Sequence, residues 1–181
     1  MAYTTLITVE QLQALRRSGA PLMVFDCSFE LMNPAAGGEQ YRQVHVAGAV
    51  RADLDHALSD PGVVEPDGTH HPHADAASGG RHPLPSREKF AMWLCSVGFS
   101  NAMQAVVYDR QNVNYAGRLW WMLKWAGHDA VAVLDGGLQA WQAAGGEVAA
   151  GEETAHFQSN FQLGRPLRTL ATVADVAAGL G

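Results

Sequence analysis

Cysteine is scarce in this sequence, and its scarcity excludes two kinds of site. Only Cys27 and Cys95 occur among 181 residues, and both lie inside apolar stretches. Two isolated cysteines predict neither a disulfide framework nor a metal site built on a Cys pair, and they favour a reducing compartment. We therefore expect a cytoplasmic protein.

Basic runs and long apolar segments are also missing. The formal net charge is −6 and no cluster of Lys or Arg occurs, which argues against nucleic acid and anionic membranes as partners. The N-terminus has no basic stretch followed by an apolar core, and no apolar segment is long enough to span a bilayer. With 48% hydrophobic residues, the chain has the composition of a globular protein, with length for one domain and the start of another.

What the sequence does contain is a βαβ unit between residues 105 and 146. An apolar run ends at Asp109, a polar turn follows, and a Trp-rich helix is expected from about Tyr115 to Ala126, before a second apolar run and a helix through Trp141. Such a unit predicts parallel strands joined by a right-handed crossover. Chemistry in these sheets lies outside the carboxyl ends of the strands, which here means Asp109 and the turn after it.

Flanking elements are marked by capping residues. A capping box at Thr8 predicts a helix that ends at Gly19, residues 22–26 read as a buried strand, and Ser86 is expected to cap a helix that ends at Gly98. Residues 29–44 are expected to form a loop with a short polar helical turn, and residues 59–85 a long surface loop. The stretch 147–162 predicts no clear element.

A short internal sequence repeat is the basis for the predicted domain organisation. Residues 169–173 repeat the pattern of residues 5–9, and each is followed by an amphipathic helical pattern ending in Gly. We predict one α/β domain over residues 1–147, an interdomain linker over 148–168, and the start of a truncated second domain over 169–181. On this interpretation the polypeptide is a fragment.

Six sequence blocks carry a resemblance when they are taken together. They are Phe25-Asp26-Cys27-Ser28, His45-Val46-Ala47-Gly48-Ala49, Arg81-His82-Pro83-Leu84-Pro85, Val106-Val107-Tyr108-Asp109, Arg118-Leu119-Trp120-Trp121-Met122-Leu123 and Leu134-Asp135-Gly136-Gly137-Leu138-Gln139-Ala140-Trp141. In residues and order they resemble the N-terminal domain of two-domain thiosulfate and 3-mercaptopyruvate sulfurtransferases, the rhodanese family, and the blocks from Val106 onwards are the most specific.

The resemblance implies a fold and the absence of a nucleophile. The fold is α/β and rhodanese-like, with a parallel sheet flanked by helices on both faces. In such proteins the second domain carries a cysteine at the start of a loop of converging amides, which lowers the thiol pKa and holds a persulfide anion. Here Asp109 stands at the position of that cysteine. A carboxylate cannot carry a sulfane sulfur, so this chain alone is expected to be inactive.

The resemblance also implies that two residues of this chain contribute to a site in the second domain. Asp55 and His82 match the Asp and His that first domains of mercaptopyruvate-type relatives contribute to an interdomain site. A His oriented by a carboxylate can shuttle protons near neutral pH. The competing interpretation is that both are polar loop residues with surface hydrogen bonds.

Other nucleophiles are less favoured. Cys27 follows the first long strand, but no Gly-rich turn or helix start comes after it, so a buried structural thiol is expected. Cys95 falls on the apolar face of a helix. Asp109 as an aspartyl nucleophile of a phosphohydrolase would need a second carboxylate two residues later, where the chain has Gln111.

Three further patterns have structural explanations. His70, His71 and His73 with Asp75 suit Zn or Ni, but their spacing matches no known site and a solvated loop is favoured. Trp121 and Trp125 are one helical turn apart, which indicates packing rather than a ligand site. Gly136-Gly137 lacks the further Gly or Lys of a phosphate loop, and a turn with positive φ explains it.

We predict a sulfurtransferase as the complete protein, acting on thiosulfate or 3-mercaptopyruvate with cyanide or thiol acceptors, without cofactor or metal. Its expected partner is a second rhodanese-like domain of the same parent chain. The alternative is a stand-alone, non-catalytic rhodanese-like binding or regulatory module.

Overall fold

The structure is a computed structural model that describes residues 2–66, 69–71, 73–154 and 156–180. Nine strands and six helices are assigned within these residues. In chain order they are β1 (Leu6–Ile7), α1 (Val9–Ser18), β2 (Leu22–Asp26), α2 (Pro34–Gln43), β3 (His45–Val46), β4 (Val50–Arg51), β5 (Val63–Val64), β6 (His70–His71), α3 (Arg87–Ser96), β7 (Gln104–Tyr108), α4 (Ala116–Trp125), β8 (Val131–Leu134), α5 (Gly137–Ala143), β9 (Val148–Ala149) and α6 (Val173–Ala178).

A five-stranded parallel sheet forms the centre of the molecule. Its strand order is β1-β8-β7-β2-β4, and every pairing between neighbours is parallel. The long strands are in register, with Phe25 opposite Val107 and Ala105 opposite Val131. The α/β prediction and the βαβ unit β7–α4–β8 are confirmed.

Helices cover both faces of this sheet because side chains alternate along each strand. Phe25 and Val107 point into one cluster with Leu94 of α3 and Leu119 of α4. Their neighbours Val24, Val106 and Ala132 point into a second cluster, together with Leu12 of α1 and Trp141 of α5. The sheet is therefore buried on both sides, as its near-continuous apolar strands predict.

The predicted caps are present. The Thr8 side chain accepts the Gln11 N–H while the Gln11 side chain accepts the Thr8 N–H, and Gly19 ends α1 with φ of 69°. The Ser86 side chain accepts the Lys89 N–H at the start of α3. These hydrogen bonds satisfy N–H groups that would otherwise lack partners in the first turn of each helix.

Three segments are more ordered than predicted. Residues 34–43 form the ten-residue helix α2 rather than a short turn. Within the long loop, β5 and β6 pair as an antiparallel hairpin. In the stretch expected to be irregular, β9 pairs antiparallel with β3.

The segment predicted as a linker, residues 148–168, contacts the domain at several of its described residues. Glu153 contacts His45 with 3.1 Å between its Oε1 and the imidazole Nε2, and the Phe161 side chain is buried in the core. The amides of Gly164 and Leu167 donate to the carbonyls of Ala126 and Lys124 at the end of α4.

After this segment comes α6, which is exposed throughout and begins with a second capping box at Thr172. Met1 and Gly181, the outer limits of the predicted domains, lie outside the described residues. No helix in the described part of the chain is both long and apolar enough to cross a membrane.

Candidate functional site

Asp109 lies directly after β7, at the carboxyl edge of the sheet, and its carboxylate is buried in a ring of backbone amides. Its Oδ1 accepts the N–H groups of Gln111 and Val113 at 3.0 and 2.9 Å. Its Oδ2 accepts those of Tyr115 and Ala116 at 2.8 and 2.9 Å. The side chain is 4% exposed. A loop of converging amides is thus present here, and it is filled by the protein's own carboxylate.

The backbone of this loop is arranged around that carboxylate. Asn112 and Val113 have φ of 57° and 72°, in the left-handed region that a β-branched residue such as Val rarely adopts. Two of the four amides belong to the start of α4, where the helix dipole favours negative charge. The four amides and the helix start are thus arranged to stabilise an anion, and the group that occupies their centre is the Asp109 carboxylate.

The two cysteines lie in different settings, and that of Cys27 disfavours a thiolate. Cys27 is 1% exposed just past β2, and burial, together with the charges of Asp26 and Asp109, raises the pKa of its thiol well above the usual value. Cys95 is half-buried in α3, with its Sγ 3.7 Å from the carbonyl oxygen of Phe161. A reactive cysteine needs a lowered pKa and access to solvent, and Cys27 has neither.

Asp55 and His82, far apart in sequence, are brought into contact. The distance between Asp55 Oδ1 and His82 Nε2 is 2.9 Å, with 32% and 16% of the respective side chains exposed. The edge of the Phe29 ring packs against the imidazole, with 6.0 Å between ring centroids. Asp55 and Phe29 therefore orient the imidazole, and part of each side chain of the pair remains exposed to solvent.

Burial is the main influence on the imidazole. It lowers the pKa of His82, the Asp55 carboxylate raises that pKa in opposition, and the positive charges of Arg81 and Arg118 lower it further. The ring is then mostly neutral at pH 7. Because an ionised carboxylate can only accept, the neutral ring keeps its proton on Nε2 and leaves Nδ1 as an acceptor.

Arg118, in the first half of α4, ties together the two segments that carry this pair. Its guanidinium donates to the carbonyl oxygen of Leu58 at 2.7 Å and to that of His82 at 2.9 Å. Burial lowers the pKa of Arg118 to about 10. The sequence analysis named Arg118 as part of a motif but did not predict a function for it. The feature that could have indicated one is an Arg next to the apolar Leu119 in a helix that packs on a sheet.

Asp53 shapes the turn that presents Asp55. Its Oδ1 accepts the N–H groups of Asp55 and His56 at 2.9 and 3.1 Å, and its Oδ2 pairs with Arg51. Sequence reasoning missed this residue too, although an Asp at the start of a tight turn is a familiar pattern.

The remaining candidates have structural partners. His73 contacts Asp60, with 2.5 Å between Nδ1 and Oδ1, and the described residues contain no group of three or more potential metal ligands. The side chain of His70 lies outside the described residues. Trp121 stacks on Trp125 with ring centroids 5.5 Å apart. Gly137 has φ of 56°, and a Cβ there would collide with the carbonyl oxygen of Asp109.

Comparison with known proteins relates this arrangement to one family. The sequence model of the rhodanese-like domain matches residues 8–144. The chain is 38% identical over 185 residues to a probable 3-mercaptopyruvate sulfurtransferase of Pseudomonas aeruginosa, covering 100% of this chain and 59% of that protein. It is 35% identical over 147 residues to the putative thiosulfate sulfurtransferase SseB of Mycobacterium tuberculosis, covering 81% of this chain and 47% of that protein.

Solved structures agree with this relationship. The 3-mercaptopyruvate sulfurtransferase of Leishmania major superposes with a TM-score of 0.70 at 29% identity, covering 90% of this chain and 41% of that one. SseA of Escherichia coli superposes with a TM-score of 0.74 at 24% identity, over 98% of this chain and 62% of that one, which supports the fold. The chain spans between 47% and 59% of the length of the two curated relatives above.

Proposed function

The chain belongs to the rhodanese-like domain family, and from that premise we propose that it is the first, non-catalytic domain of a two-domain sulfurtransferase. The complete protein moves sulfane sulfur from thiosulfate or 3-mercaptopyruvate to cyanide or a thiol. The sulfur is carried as a persulfide on a cysteine of a second rhodanese-like domain. Homology to thiosulfate and 3-mercaptopyruvate sulfurtransferases supports the reaction class.

The observation that carries the proposal is the carboxylate of Asp109. It accepts four backbone N–H groups at the edge where the sheet places its chemistry, so an incoming anion or a persulfide would have to displace it. Nucleophilic sulfur transfer needs a polarisable thiolate in such a loop. The buried, protonated Cys27 does not replace it.

The two half-reactions place different demands on the site. With thiosulfate, the thiolate of the second domain attacks the outer sulfur, the S–S bond breaks, and sulfite leaves with the electron pair. With 3-mercaptopyruvate, attack on the thiol sulfur breaks the C–S bond and leaves the enolate of pyruvate, whose carbon must then gain a proton. In either case an acceptor such as cyanide takes the outer sulfur of the persulfide and restores the thiolate.

We assign the proton delivery to Asp55 and His82. Asp55 holds the imidazole at 2.9 Å, and the exposed side of the ring is where a second domain could bring its substrate. The imidazolium form of His82, which the Asp55 carboxylate stabilises from the Nε2 side, can pass its Nδ1 proton to the enolate carbon and return to the neutral ring. Since sulfite needs no proton to leave, this pair matters for 3-mercaptopyruvate and much less for thiosulfate.

The C-terminal residues support a following domain. The capping box at Thr172 repeats the arrangement of the one at Thr8, with Asp175 in the role of Gln11. Val173 is 88% exposed on α6, whereas Val9 at the matching position of α1 is 6% exposed against the sheet. We propose that α6 begins the second rhodanese-like domain. A cytoplasmic location stays a prediction from the scarcity of cysteine.

The alternative is a stand-alone, non-catalytic binding module. Such a module would also have Asp109 in place of a nucleophile, but it would not need a second domain beyond residue 181. Extending the reading frame distinguishes the two, since a strand followed by a Cys-containing loop favours the enzyme. A natural stop soon after residue 181 favours the module.

Thiocyanate formation tests the inactivity of this chain. The purified chain, given thiosulfate or 3-mercaptopyruvate with cyanide, should form no more thiocyanate than a protein-free control. The Cys27→Ser variant should behave identically. Turnover at enzymatic rates that disappears in Cys27→Ser would reject the proposal.

Activity of the complete two-domain protein tests the role of the Asp55–His82 pair. His82→Ala and Asp55→Ala should lower kcat with 3-mercaptopyruvate by roughly 10²-fold, the usual range for a lost proton donor, and leave thiosulfate turnover within about threefold. Equal effects on both donors would indicate a structural role, and unchanged turnover with both would remove the pair from the mechanism.

A further inference from the structure

The His82 imidazole needs more than Asp55 to fix its orientation. The contact with Asp55 is made at one ring atom, Nε2, and Arg118 binds the backbone carbonyl of His82 rather than its ring. A contact at one atom leaves the ring free to turn about that atom, and proton transfer depends on the direction in which the donor nitrogen points. A second contact, made to the ring itself, is therefore needed to limit this rotation.

Phe29 makes that second contact. Its ring is nearly perpendicular to the imidazole of His82, at 85° with 6.0 Å between the centroids, which is a favoured arrangement of two aromatic rings. Phe29 is 1% exposed and belongs to the core cluster that includes residues of α3 and α4, so packing fixes its own position. The core of the domain thus extends to the imidazole.

Tyr115 packs on Phe29 and joins it to the loop around Asp109. The two rings lie at 69° with 5.4 Å between their centroids, and the Tyr115 N–H donates to Asp109 Oδ2 at 2.8 Å. The carbonyl oxygen of Tyr115 also accepts the backbone N–H of Arg118 at 3.1 Å. The Asp109 loop is therefore linked to His82 twice, through the two aromatic rings and through Arg118.

We propose that Phe29 and Tyr115 are positioning residues for His82, through which the loop around Asp109 sets the orientation and the solvent exposure of the imidazole. This inference rests on the proposed function for the reaction that the imidazole serves, but the packing itself belongs to this chain. A loop that has no nucleophile of its own then still contributes to the site, because it supports a side chain that acts on the substrate.

The protonation of His82 is a direct measure of this packing. Burial has the largest effect on its pKa and lowers it, the Asp55 carboxylate raises it, and the positive charges of Arg81 and Arg118 lower it further. Replacing an aromatic ring by an aliphatic side chain changes none of these charges. Such a substitution should therefore act on the pKa through burial, and NMR titration of the imidazole in the isolated chain records the effect.

Two substitutions remove a ring and one keeps it. Phe29→Leu should raise the pKa of His82 towards its usual value, because water then reaches the imidazole. Tyr115→Leu should raise it by less, since Phe29 can shift into the space that the tyrosine ring leaves. Tyr115→Phe keeps that ring and should titrate as the wild type. Tyr115 is half-buried, so its two variants carry the test if Phe29→Leu fails to fold.

Phe99→Leu is the matched control. Phe99 is 0% exposed and belongs to the same core cluster, but its ring packs on Phe161, in the segment after the last long helix of the sheet. It should lower the stability as Phe29→Leu does and leave the titration of His82 unchanged. An unchanged titration in a folded Phe29→Leu or in Tyr115→Leu, or a rise of the same size in Phe99→Leu, would overturn the inference.

Kinetics of the complete two-domain protein separate this inference from the proposed function. Tyr115→Leu should lower kcat with 3-mercaptopyruvate by roughly tenfold, as expected for a misoriented proton donor, shift the pH profile of kcat in the direction of the NMR titration, and leave thiosulfate turnover unchanged. Tyr115→Phe should restore both the rate and the profile.

The two proposals fail in different ways. The expected NMR titrations together with an unchanged kcat and pH profile for 3-mercaptopyruvate would reject proton delivery by His82 and keep the packing. An unchanged titration in Tyr115→Leu, in a protein that loses 3-mercaptopyruvate turnover on His82→Ala, would reject the packing and keep the proposed function.

Discussion

At the scale of single residues, the carboxylate of Asp109 is the acceptor around which the backbone amides of its loop converge. Four amides aim at its two oxygens, and nearly all of its surface is buried. Hydrogen bonds to a charged group contribute more than neutral ones, and buried donors left without an acceptor are costly. Val113, one of the two left-handed residues of the loop, donates its N–H to this acceptor group.

Asp109→Ala should therefore destabilise the domain by about 3 kcal/mol, the combined effect of several unpaired buried donors. Urea unfolding followed by Trp fluorescence measures this change. Asp135→Ala is the control, because Asp135 follows the neighbouring strand β8 and is exposed, so its loss should change stability by less than about 0.5 kcal/mol. Equal effects of the two substitutions would show that the amide ring does not stabilise the fold.

Each neighbour of His82 has its own effect on the pKa of the imidazole, and substitutions can separate these effects. Burial lowers it, Asp55 raises it and Arg81 lowers it. Asp55→Asn should therefore lower the pKa of His82 further, and Arg81→Gln should raise it, as measured by NMR titration of the imidazole. A rise in Asp55→Asn would contradict the observed contact.

The same shift has a consequence for stability. Because the pKa of His82 is lower in the folded chain, the unfolded chain takes up the proton first as the pH falls. Stability from the neutral ring is complete above about pH 6.5 and declines as the pH falls towards the folded value. His82→Asn should reduce that decline in urea unfolding between pH 7 and pH 5.

At the scale of elements, Arg118 shows how a helix positions residues on two loops. Its guanidinium joins Leu58, near Asp55, to His82 itself, and the bonds go to backbone carbonyls. Losing it leaves two partly buried carbonyl groups without this donor and frees the two segments to separate. The helix α4 thus fixes the geometry of a pair to which it contributes no side chain.

Arg118→Ala should cost about 2 kcal/mol in the free energy of unfolding, because its hydrogen bonds come from a charged donor and are partly buried. It should also speed amide hydrogen exchange in residues 56–60 and 81–84. Arg42→Ala offers a comparison, since Arg42 forms an exposed pair with Glu152 at 3.6 Å and should matter by less than about 1 kcal/mol. Unchanged exchange in Arg118→Ala would mean that the two loops hold each other without α4.

The elements also show where sequence reasoning succeeds and where it does not. The starts of α1 and α3 were predicted because Thr8 and Ser86 act locally, through hydrogen bonds three residues away. Helix α2 was missed because Gly37-Gly38 was interpreted as a loop signal. In the structure a Cβ at Gly37 would collide with the carbonyl oxygen of Ser28, so the glycine serves close packing.

The candidate site was also predictable from the sequence only in part. Asp55, His82 and Asp109 were found through resemblance to a family, and Asp109 also through its place at the end of a strand. Their geometry was beyond the sequence, because it depends on Arg118 and Asp53, which act across the fold on backbone groups. The two-residue strands β3 and β9 carry too little periodicity to be predicted and exist only through their pairing.

At the scale of the whole molecule, the contacts of residues 148–168 bear on where the folding unit ends. Their polar, irregular composition predicted a linker, yet their hydrogen bonds complete other elements. Ser159 N–H donates to Cys95 at the end of α3, and Gly164 N–H donates to Ala126 at the end of α4. Carbonyl groups at helix ends lack intrahelical partners, so this segment acts as a cap for both helices.

The same segment also fills the core. Phe161 is 4% exposed and packs on Phe99, with 5.7 Å between ring centroids. Truncating a buried Phe to Ala typically costs about 3 to 5 kcal/mol, a large part of the stability of one domain. The unit that folds independently should therefore extend to about residue 168, beyond the end of the matched family region at residue 144.

Two shortened chains test this boundary. A chain ending at residue 168 should unfold in urea at the same midpoint as the full chain, because it loses only α6, whose residues are exposed. A chain ending at residue 147 should be less stable by at least the cost of Phe161→Ala, about 3 kcal/mol, and by more because the two helix ends also lose their caps. The Phe161→Ala variant in the full chain separates the packing contribution from the capping contribution. If the chain ending at residue 147 matched the full chain in midpoint and slope, residues 148–168 would be a linker that merely rests on the surface, and the position of any following domain would be free rather than set by this segment.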